Sequence, residues 1–354
     1  MPEGGQMEKG RHGNTGKKAV AIVALIVVAA AILLSIYNGD KKKAYDRTET
    51  AMTTVVKFHL YVSGAEQYEK QAMQQLKACE DKLSYRKKDS AVAQFNALMA
   101  EQKAGINDIT DEELRKDTIV CQQVAKDSNG AFDLTIAPLA KLWNIEGEHP
   151  HVPDQKEIEK AKSLVGYERL EQGKEQIGTQ VDYGAAGKGI ACDILAKSLK
   201  KKKGAGTISI GGSIVCVGKK PGEENWKLGI QAPGKETGEI MGVLERSSDC
   251  FLSTSGDYEK YFYENGKRYH HILDARTGYP AESGLHSVTV IAKNGLLSDA
   301  LSTACFVLGM EEGKKLLEKY DADGIFIDEN NKVYVTPALK SDFTIQAEEY
   351  TLVH

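Results

Sequence analysis

The chain has 354 residues, of which 41% are hydrophobic and 27% are charged, a composition typical of a globular protein with one large core or two modest ones. Its 46 basic and 50 acidic residues give a formal net charge of -4, which argues against a broad nucleic-acid-binding face, and we expect no nucleic-acid partner. Any anionic ligand must be held by a local site.

An uncharged, strongly apolar run covers residues 19–37. As a helix rising about 1.5 Å per residue, it matches the roughly 30 Å hydrocarbon core of a bilayer. The run is longer than the apolar part of a usual signal peptide, and no A-x-A cleavage pattern follows it. We therefore predict an uncleaved membrane anchor. Lysines lie on both sides of it, so charge alone does not choose its orientation.

The remaining chain divides into a polar tail at residues 1–18, a charged linker at 38–50 and one folded domain at 51–350. Periodicity in that domain predicts the following elements in chain order: a strand at 51–62, helices at 67–83, 111–128 and 189–202, strands at 207–217, 226–230 and 287–291, and helices at 298–308 and 311–320. Strands and helices mix without a regular βαβ alternation. This order predicts an α+β fold, a single mixed α/β domain with antiparallel-type sheets and packed helices.

The six cysteines are scattered along the chain, at positions 79, 121, 192, 216, 250 and 305. They form no C-x-x-C pair and no cluster with histidine at the spacing of a metal site. We expect six small buried apolar side chains rather than a zinc site or a disulfide scaffold.

A glycine-dense loop, VDYGAAGKGIACD at residues 181–193, carries Lys188 and leads into a predicted helix. Such a loop favours an anion site, because glycines let backbone N–H groups approach a phosphate and the helix N-terminus adds positive potential. The glycine spacing does not match a Walker A loop. The alternative is an ordinary glycine-rich loop with a solvated lysine.

Two oxygen-bearing side chains, Asp299 and Thr303, share one face of the predicted helix at 298–308. Oxygen ligands suit Mg²⁺, which often bridges a protein carboxylate and substrate phosphates. The alternative is an aspartate in the first helical turn that only complements the helix dipole.

Two adjacent histidines occur in RYHHILDARTGYP, residues 268–280. A short strand is predicted at 269–273, and neighbouring side chains of a strand point to opposite faces, so His270 and His271 cannot have the same role. The alternative to a chemical role is one surface imidazole and one hydrogen-bonded core imidazole.

Several motifs together resemble, in their order, the bacterial FAD:protein FMN transferases. They are Met52-Thr53-Thr54, Ser84-Tyr85, GAFDLTIAPL from Gly130 with Trp143 after it, DYGAAGKGI from Asp182, Ile210-Gly211-Gly212, STSGDY from Ser253, HHILDARTGYP from His270 and DALST from Asp299. The resemblance extends from residue 51 to about residue 310. It departs from the family pattern at Thr53 and Asn144, where glycine is usual, at Ala275, where proline is usual, and at Gly187, where alanine is frequent.

The resemblance implies an enzyme that splits the pyrophosphate of FAD, attaches FMN to a threonine of an acceptor flavoprotein by a phosphoester bond, and releases AMP. It implies that His271 helps deprotonate the threonine and that Asp274 helps orient the site. The alternative for Asp274 is an aspartate that opens the following turn. Asp299 and Thr303 with the backbone oxygen of Ala185 should hold Mg²⁺. The positions expected to contact FAD are Met52, Tyr85, Asn144, Ile145, Glu146, Asp182, Lys188 and Ile272.

A Mg²⁺-dependent FAD pyrophosphatase would use the same residues. A membrane-tethered flavin-binding or electron-carrying module without turnover is the third function considered, and Asp299 and Thr303 argue against it, because holding FAD needs no metal at its pyrophosphate. The resemblance also implies that the acceptor belongs to a membrane or exported redox system. We therefore expect a single-pass protein of the cell membrane with its catalytic domain outside the cytoplasm.

Overall fold

The computed structural model describes residues 43–101, 105–171, 174, 177–222, 224–236 and 238–353. The predicted tail at 1–18, the predicted membrane anchor at 19–37 and the first residues of the predicted linker lie outside the described residues. Within the described residues, no helix combines the length and the apolar character that crossing a membrane needs.

The α-helices are α1 (Ala65–Leu83), α2 (Ala91–Ala100), α3 (Glu112–Asp127), α4 (Ala137–Trp143), α5 (Gln155–Lys162), α6 (Gly187–Lys201), α7 (Gly295–Leu308) and α8 (Met310–Lys319). The strands are β1 (Tyr45–Ala51), β2 (Thr54–Tyr61), β3 (Ala205–Ile210), β4 (Ser213–Val217), β5 (Trp226–Gln231), β6 (Ile240–Arg246), β7 (Cys250–Gly256), β8 (Tyr261–Glu264), β9 (Lys267–His270), β10 (Leu273–Asp274), β11 (Tyr279–Pro280), β12 (Leu285–Ala292), β13 (Asp323–Asp328), β14 (Lys332–Val335), β15 (Phe343–Ile345) and β16 (Thr351–Val353).

A nine-stranded sheet in the order β1-β2-β3-β4-β7-β12-β13-β14-β16 forms the centre of the fold. Its strands pair antiparallel except for the parallel pair β14 and β16. A three-stranded sheet, β15-β6-β5, and the hairpins β8-β9 and β10-β11 complete the strand pairing. The predicted mixed fold with antiparallel sheets is confirmed, because only one strand pair of the large sheet is parallel and the helices are grouped in two connections, α1–α6 between β2 and β3 and α7–α8 between β12 and β13.

The large sheet packs one face on the main core, as the alternation along β2 shows. Val56, Phe58 and Leu60 are buried in the main core with residues of α1, α6 and α7. On the opposite face, the three-stranded sheet packs over one end of the large sheet and forms a second core around Trp226 and Leu244. A smaller third cluster surrounds Trp143. The six cysteines are all free and buried, which confirms their predicted role as packing residues.

The folded chain begins earlier than the sequence predicts. The predicted linker at 38–50 contains most of β1, which pairs with β2 along its whole length instead of forming a tether. A two-residue turn joins these strands, and both of its residues, Met52 and Thr53, have positive φ angles of 52° and 58°. Because β1 is an edge strand with few buried side chains, its polar composition resembles that of a linker.

Two element boundaries near the predicted site also differ from expectation. Helix α7 begins at Gly295, three residues before the predicted start, because the Asn294 side chain caps it by accepting from Leu297 N at 2.9 Å. The strand predicted at 269–273 is interrupted, since β9 ends at His270 and β10 starts at Leu273. Because α7 starts at Gly295, Asp299 lies in its second turn. The alternative explanation, an aspartate in the first turn that complements the helix dipole, does not account for it.

Candidate active site

A cavity of about 1500 Å³ brings together most of the residues that the sequence predicts for the site. The predicted residues that line it are Met52, Tyr85, Asn144, Ile145, Glu146, Asp182, Ala185, Lys188, His271, Ile272, Asp299 and Thr303. They come from the β1-β2 turn, the ends of α1 and α4, the start of α6, the segment after β9, and α7. Segments distant in sequence thus meet around one opening.

Asp274 is the exception, because it does not line the cavity. Its carboxylate accepts from Arg276 three times, at the backbone N (2.9 Å), Nε (2.8 Å) and Nη2 (2.8 Å). Its carbonyl accepts from Gly278 N at 2.8 Å. Asp274 therefore closes the turn between β10 and β11, and the structure does not bring it to the position of a site-orienting residue.

His270 has both ring nitrogens engaged inside the protein. Nε2 donates to the carbonyl of Ala281 at 2.9 Å, and Nδ1 accepts from the backbone N of Ile272 at 3.3 Å. The ring is 8% exposed and lies edge-on to Phe306 at a centroid distance of 5.6 Å. With both ring nitrogens bonded inside the protein, His270 has a structural role.

His271 differs, because no group in the described part of the chain bonds its second ring nitrogen. Its backbone N and its Nδ1 both lie near the carbonyl of Lys260, at 3.0 and 3.3 Å. A carbonyl can only accept, so Nδ1 carries the hydrogen and the lone pair is on Nε2. Burial lowers the pKa of His271 to about 4, against the opposing effect of Glu146. At neutral pH the ring is therefore uncharged and able to take a proton.

Lys260 and Glu146 form an ion pair of 2.8 Å beside His271. Burial opposes ionisation of Glu146, but the hydrogen bond and charge of Lys260 outweigh it, and the net pKa of Glu146 is lowered. Lys260 thus holds two groups in place: its carbonyl holds the His271 imidazole, and its side chain holds the Glu146 carboxylate. The sequence did not reveal this residue, because a backbone acceptor has no side-chain signature. Glu259, also lining the cavity, was missed as well.

The glycine-dense loop enters α6 at Gly187, so Lys188 lies in the first helical turn. Asp299 raises the pKa of Lys188 more than burial lowers it, so the ammonium is charged at neutral pH. No carboxylate of the described chain is close enough to form an ion pair with it. The positively charged Lys188 side chain lies at a helix N-terminus and faces the cavity, an arrangement that suits an anionic ligand.

Asp299 is held in place by α6 and β4. Its Oδ2 accepts from Gly189 N at 2.9 Å, and Ser213 Oγ lies 3.4 Å from Oδ1. One turn later along α7, Thr303 Oγ1 lies 3.1 Å from Ser255 Oγ. The carboxylate is 3% exposed, so its position is set by these contacts rather than by solvent.

The three predicted metal ligands offer oxygen atoms only, one of them charged. In the described part of the chain, here included, no group of three or more His, Cys, Asp or Glu residues is placed to hold a metal ion. One carboxylate, one hydroxyl and one carbonyl around a cavity fit a hard cation that takes its other ligands from phosphates or water. Ala185, Asp299 and Thr303 therefore match the donor chemistry of Mg²⁺.

Positive and aromatic side chains line the wall around Tyr85. Arg86 and Lys141 lie 5.3 and 5.0 Å from its ring centroid. Asp182 accepts from Gly184 N at 2.8 Å, and burial raises its pKa. Asn144 ends α4 with a φ of 48°, a left-handed conformation for which asparagine substitutes well for glycine.

The ApbE family model matches residues 52–326, which is most of the chain. The chain belongs to the ApbE family. A protein of Klebsiella pneumoniae (strain 342) named FAD:protein FMN transferase is 31% identical over 324 residues, covering 88% of this chain and 98% of its own length. One of Treponema pallidum (strain Nichols) with the same name is 30% identical over 317 residues, covering 82% of this chain and 86% of its own.

Solved structures of the ApbE family agree with the fold. The Thermotoga maritima ApbE protein superposes with a TM-score of 0.76 at 28% identity, covering 85% of this chain and 99% of its own. The apo form of the Pseudomonas stutzeri flavinyl transferase ApbE superposes with a TM-score of 0.72 at 30% identity, covering 86% and 98%. The family predicted from the motifs is thus confirmed.

Proposed function

We propose that this ApbE-family chain is an FAD:protein FMN transferase that depends on Mg²⁺. The observation that carries the proposal is the free Nε2 of His271, which lies in one cavity with Lys188 and the buried carboxylate of Asp299. A neutral base, a charged lysine and an oxygen-donor set are the groups that attack on a pyrophosphate needs.

In the proposed reaction, the acceptor threonine Oγ forms a bond to the phosphorus of the FMN half of FAD. The threonine proton passes to His271 Nε2. The bond between that phosphorus and the bridging oxygen breaks, and AMP leaves with the bridging oxygen and its electron pair. Nδ1 of His271 keeps its hydrogen on the Lys260 carbonyl throughout, so the imidazolium formed stays in the same orientation.

Negative charge grows on the pyrophosphate as it is attacked, and groups held in place by the fold would stabilise this charge. Lys188 supplies a full positive charge, and the N-terminus of α6 adds its dipole. Ala185, Asp299 and Thr303 would hold Mg²⁺, which would polarise phosphoryl oxygens as a Lewis acid. The wall of Tyr85, Arg86 and Lys141 would contact the nonreacting part of FAD.

The location of the protein and the kind of acceptor are proposed from the sequence. Residues 19–37 would anchor the chain in the cell membrane, with the catalytic domain outside the cytoplasm. The acceptor flavoprotein would then belong to a membrane or exported redox system. A pyrophosphatase would use the same residues with water in place of threonine, so the acceptor decides between the two activities.

The test is to co-express the full chain with candidate membrane redox subunits and to search each subunit by mass spectrometry for an FMN adduct on threonine. We expect an adduct with the wild type and much less of it with His271→Ala. In parallel, purified protein is incubated with FAD and Mg²⁺ without acceptor. Free FMN and AMP in that tube, with no adduct on any subunit, would favour the pyrophosphatase, and unchanged FAD under both conditions would favour a flavin carrier.

A further inference from the structure

The cavity is larger than the site described above. Besides the proposed FAD and metal residues, it is lined by Lys57 of β2, Thr207 and Ser209 of β3, and Gly229 of β5, together with Ile240 of β6. We call this part, defined by these five residues, the outer groove. Ligand pockets usually measure about 300–1,000 Å³, so a cavity of about 1500 Å³ is larger than one bound ligand usually needs and leaves room for a second.

The floor of the outer groove is a sheet face that the second core leaves uncovered. Lys57, Thr207 and Ser209 lie on the face of β2 and β3 opposite the buried Val56 and Ile208. The three-stranded sheet covers this face only farther along, where Trp226 contacts Tyr61 and His59. Polar and apolar atoms of the floor are therefore open to a ligand.

The wall of the outer groove is an edge strand. In the order β15-β6-β5, β5 pairs with β6 alone, and no other strand of the described residues pairs with its outer side. Gly229, in the middle of β5, leaves the backbone unshielded by a side chain. Ile240, beside it, is 41% exposed. An edge of this kind can pair with an extended segment of another protein, which supplies backbone hydrogen bonds and apolar contact.

The outer groove leads directly to the proposed reacting groups. From Ser209 the cavity continues over the β3-β4 turn, where Gly212 O accepts from Thr254 N at 2.9 Å. The next residue of β7, Ser255, contacts Thr303 of the proposed metal site at 3.1 Å. A segment lying in the groove would thus carry a side chain from the β5 edge to the metal-site end of the cavity.

We propose that the outer groove binds an extended, threonine-bearing segment of the acceptor protein, which adds to β5 as a further strand. The inference rests on the proposed transferase function and specifies how its second substrate is recognised. None of the proposed FAD-contacting residues belongs to the five that define the outer groove, so the two sets are separable by mutation.

Two variants change the groove without touching the proposed reacting groups. Gly229→Val places a branched side chain on β5; its Cβ would lie 2.8 Å from Ile240 Cγ2 and 3.8 Å from Ile240 Cβ, so the exposed Ile240 side chain must move, and valine favours strands. Ile240→Lys replaces the apolar contact by a charge. Ile119→Lys is the matched control, since Ile119 is 49% exposed on α3 and does not line the cavity.

The probes are synthetic peptides about as long as β5, each with a single threonine, incubated with FAD, Mg²⁺ and each variant. Covalent flavin fluorescence on the peptide reports transfer, and quenching of FAD fluorescence reports FAD binding. We expect wild type and Ile119→Lys to label some peptides, and Gly229→Val and Ile240→Lys to raise the KM for them about tenfold while FAD binding is kept.

Three outcomes would overturn the inference. Equal labelling by the groove variants, or weakened FAD binding in them, would show that the groove does not hold the acceptor. Transfer to whole redox subunits but to no peptide would show that an extended segment is not what is recognised. Transfer to neither peptides nor subunits would instead contradict the proposed function, and the inference would fall with it.

Discussion

The backbone N–H of Gly189 donates to the carboxylate of Asp299 at 2.9 Å, across the contact between α6 and α7. The helices approach so closely that a Cβ at Gly189 would lie 2.1 Å from the carbonyl oxygen of Gly295 and 2.7 Å from Asp299 Cβ. A glycine is therefore required here for close approach, not for a special φ angle. This contact ties the start of the lysine-bearing helix to the proposed metal ligand.

We predict that Gly189→Ala destabilises the protein by about 1–3 kcal/mol, because the methyl group overpacks the helix contact. It should also lower transfer by displacing Asp299. Gly187→Ala, two residues away, is the matched control: its Cβ would meet Leu83 at 3.6 Å and Met52 at 3.9 Å, which are ordinary contacts. Urea unfolding measures both. Equal unfolding free energies for the two variants would contradict the close-approach explanation.

Asp299→Asn should weaken Mg²⁺ binding, since it removes the charge but keeps an oxygen for Gly189 N. We expect transfer to fall and to recover partly at high Mg²⁺, measured as rate against Mg²⁺ concentration. Asp193→Asn is the control, because Asp193 also accepts backbone N–H groups of α7, from Gly295 and Leu296, but does not line the cavity. An unchanged Mg²⁺ dependence in Asp299→Asn would exclude Asp299 as a ligand.

Substitutions of the two histidines should have different effects, one on the rate of transfer and the other on the stability of the fold. His271→Ala should slow transfer by about 10²- to 10⁴-fold, the usual range for losing a general base, and leave FAD binding nearly intact. His270→Ala loses two buried hydrogen bonds and should cost about 1–3 kcal/mol of unfolding free energy with little effect on the rate of the folded protein. Loss of transfer in His270→Ala with normal transfer in His271→Ala would reverse the assignment.

The pH profile reports the environment of His271. Because its pKa is lowered to about 4 from 6.5, the base stays unprotonated at neutral pH, and the rate should fall only when acid protonates it. The acid limb of kcat/KM should therefore lie below 6.5. In Lys260→Met, the positive charge that lowers the pKa of His271 is lost. Glu146 also loses its ion-pair partner, and its negative charge raises the pKa of His271. The acid limb should therefore move to higher pH. A downward shift would contradict the proposed coupling.

The predicted anchor and the observed start of β1 give a pair of truncations. Deleting residues 1–44 removes the apolar run at 19–37 but keeps β1, so we expect a soluble, active domain. Deleting residues 1–50 also removes most of β1, leaves β2 as an unpaired edge, and should cause aggregation. Fractionation measures both. Full-length protein in the soluble fraction would exclude the anchor.

Much of the fold was predictable where local signals agree. Helix α3 matches its prediction within one residue at each end, because the Asp111 side chain caps it by accepting from Leu114 N at 2.9 Å and its apolar residues follow a helical period. β1 was missed because an edge strand buries few side chains and needs no apolar alternation. Only its pairing with β2 identifies it.

The site was predictable where side chains carry the chemistry. Lys188, His271 and Asp299 stand out by residue type and motif, and all three line the cavity. The carbonyl of Lys260 was not predictable, because every residue has one and only the fold brings this one to His271. Asp274 shows the reverse: its residue type suits a catalytic role, but the local turn with Arg276 uses the whole carboxylate.

The most direct test of the central claim is a paired count of products: AMP released and FMN attached to threonine, measured in one reaction of the full chain with FAD, Mg²⁺ and an acceptor redox subunit. The proposed reaction forms one phosphoester bond for each AMP, so we expect equal amounts in the wild type, and both products formed about 10²- to 10⁴-fold more slowly in His271→Ala. AMP formed together with free FMN, and no flavin on the acceptor, would contradict the transferase.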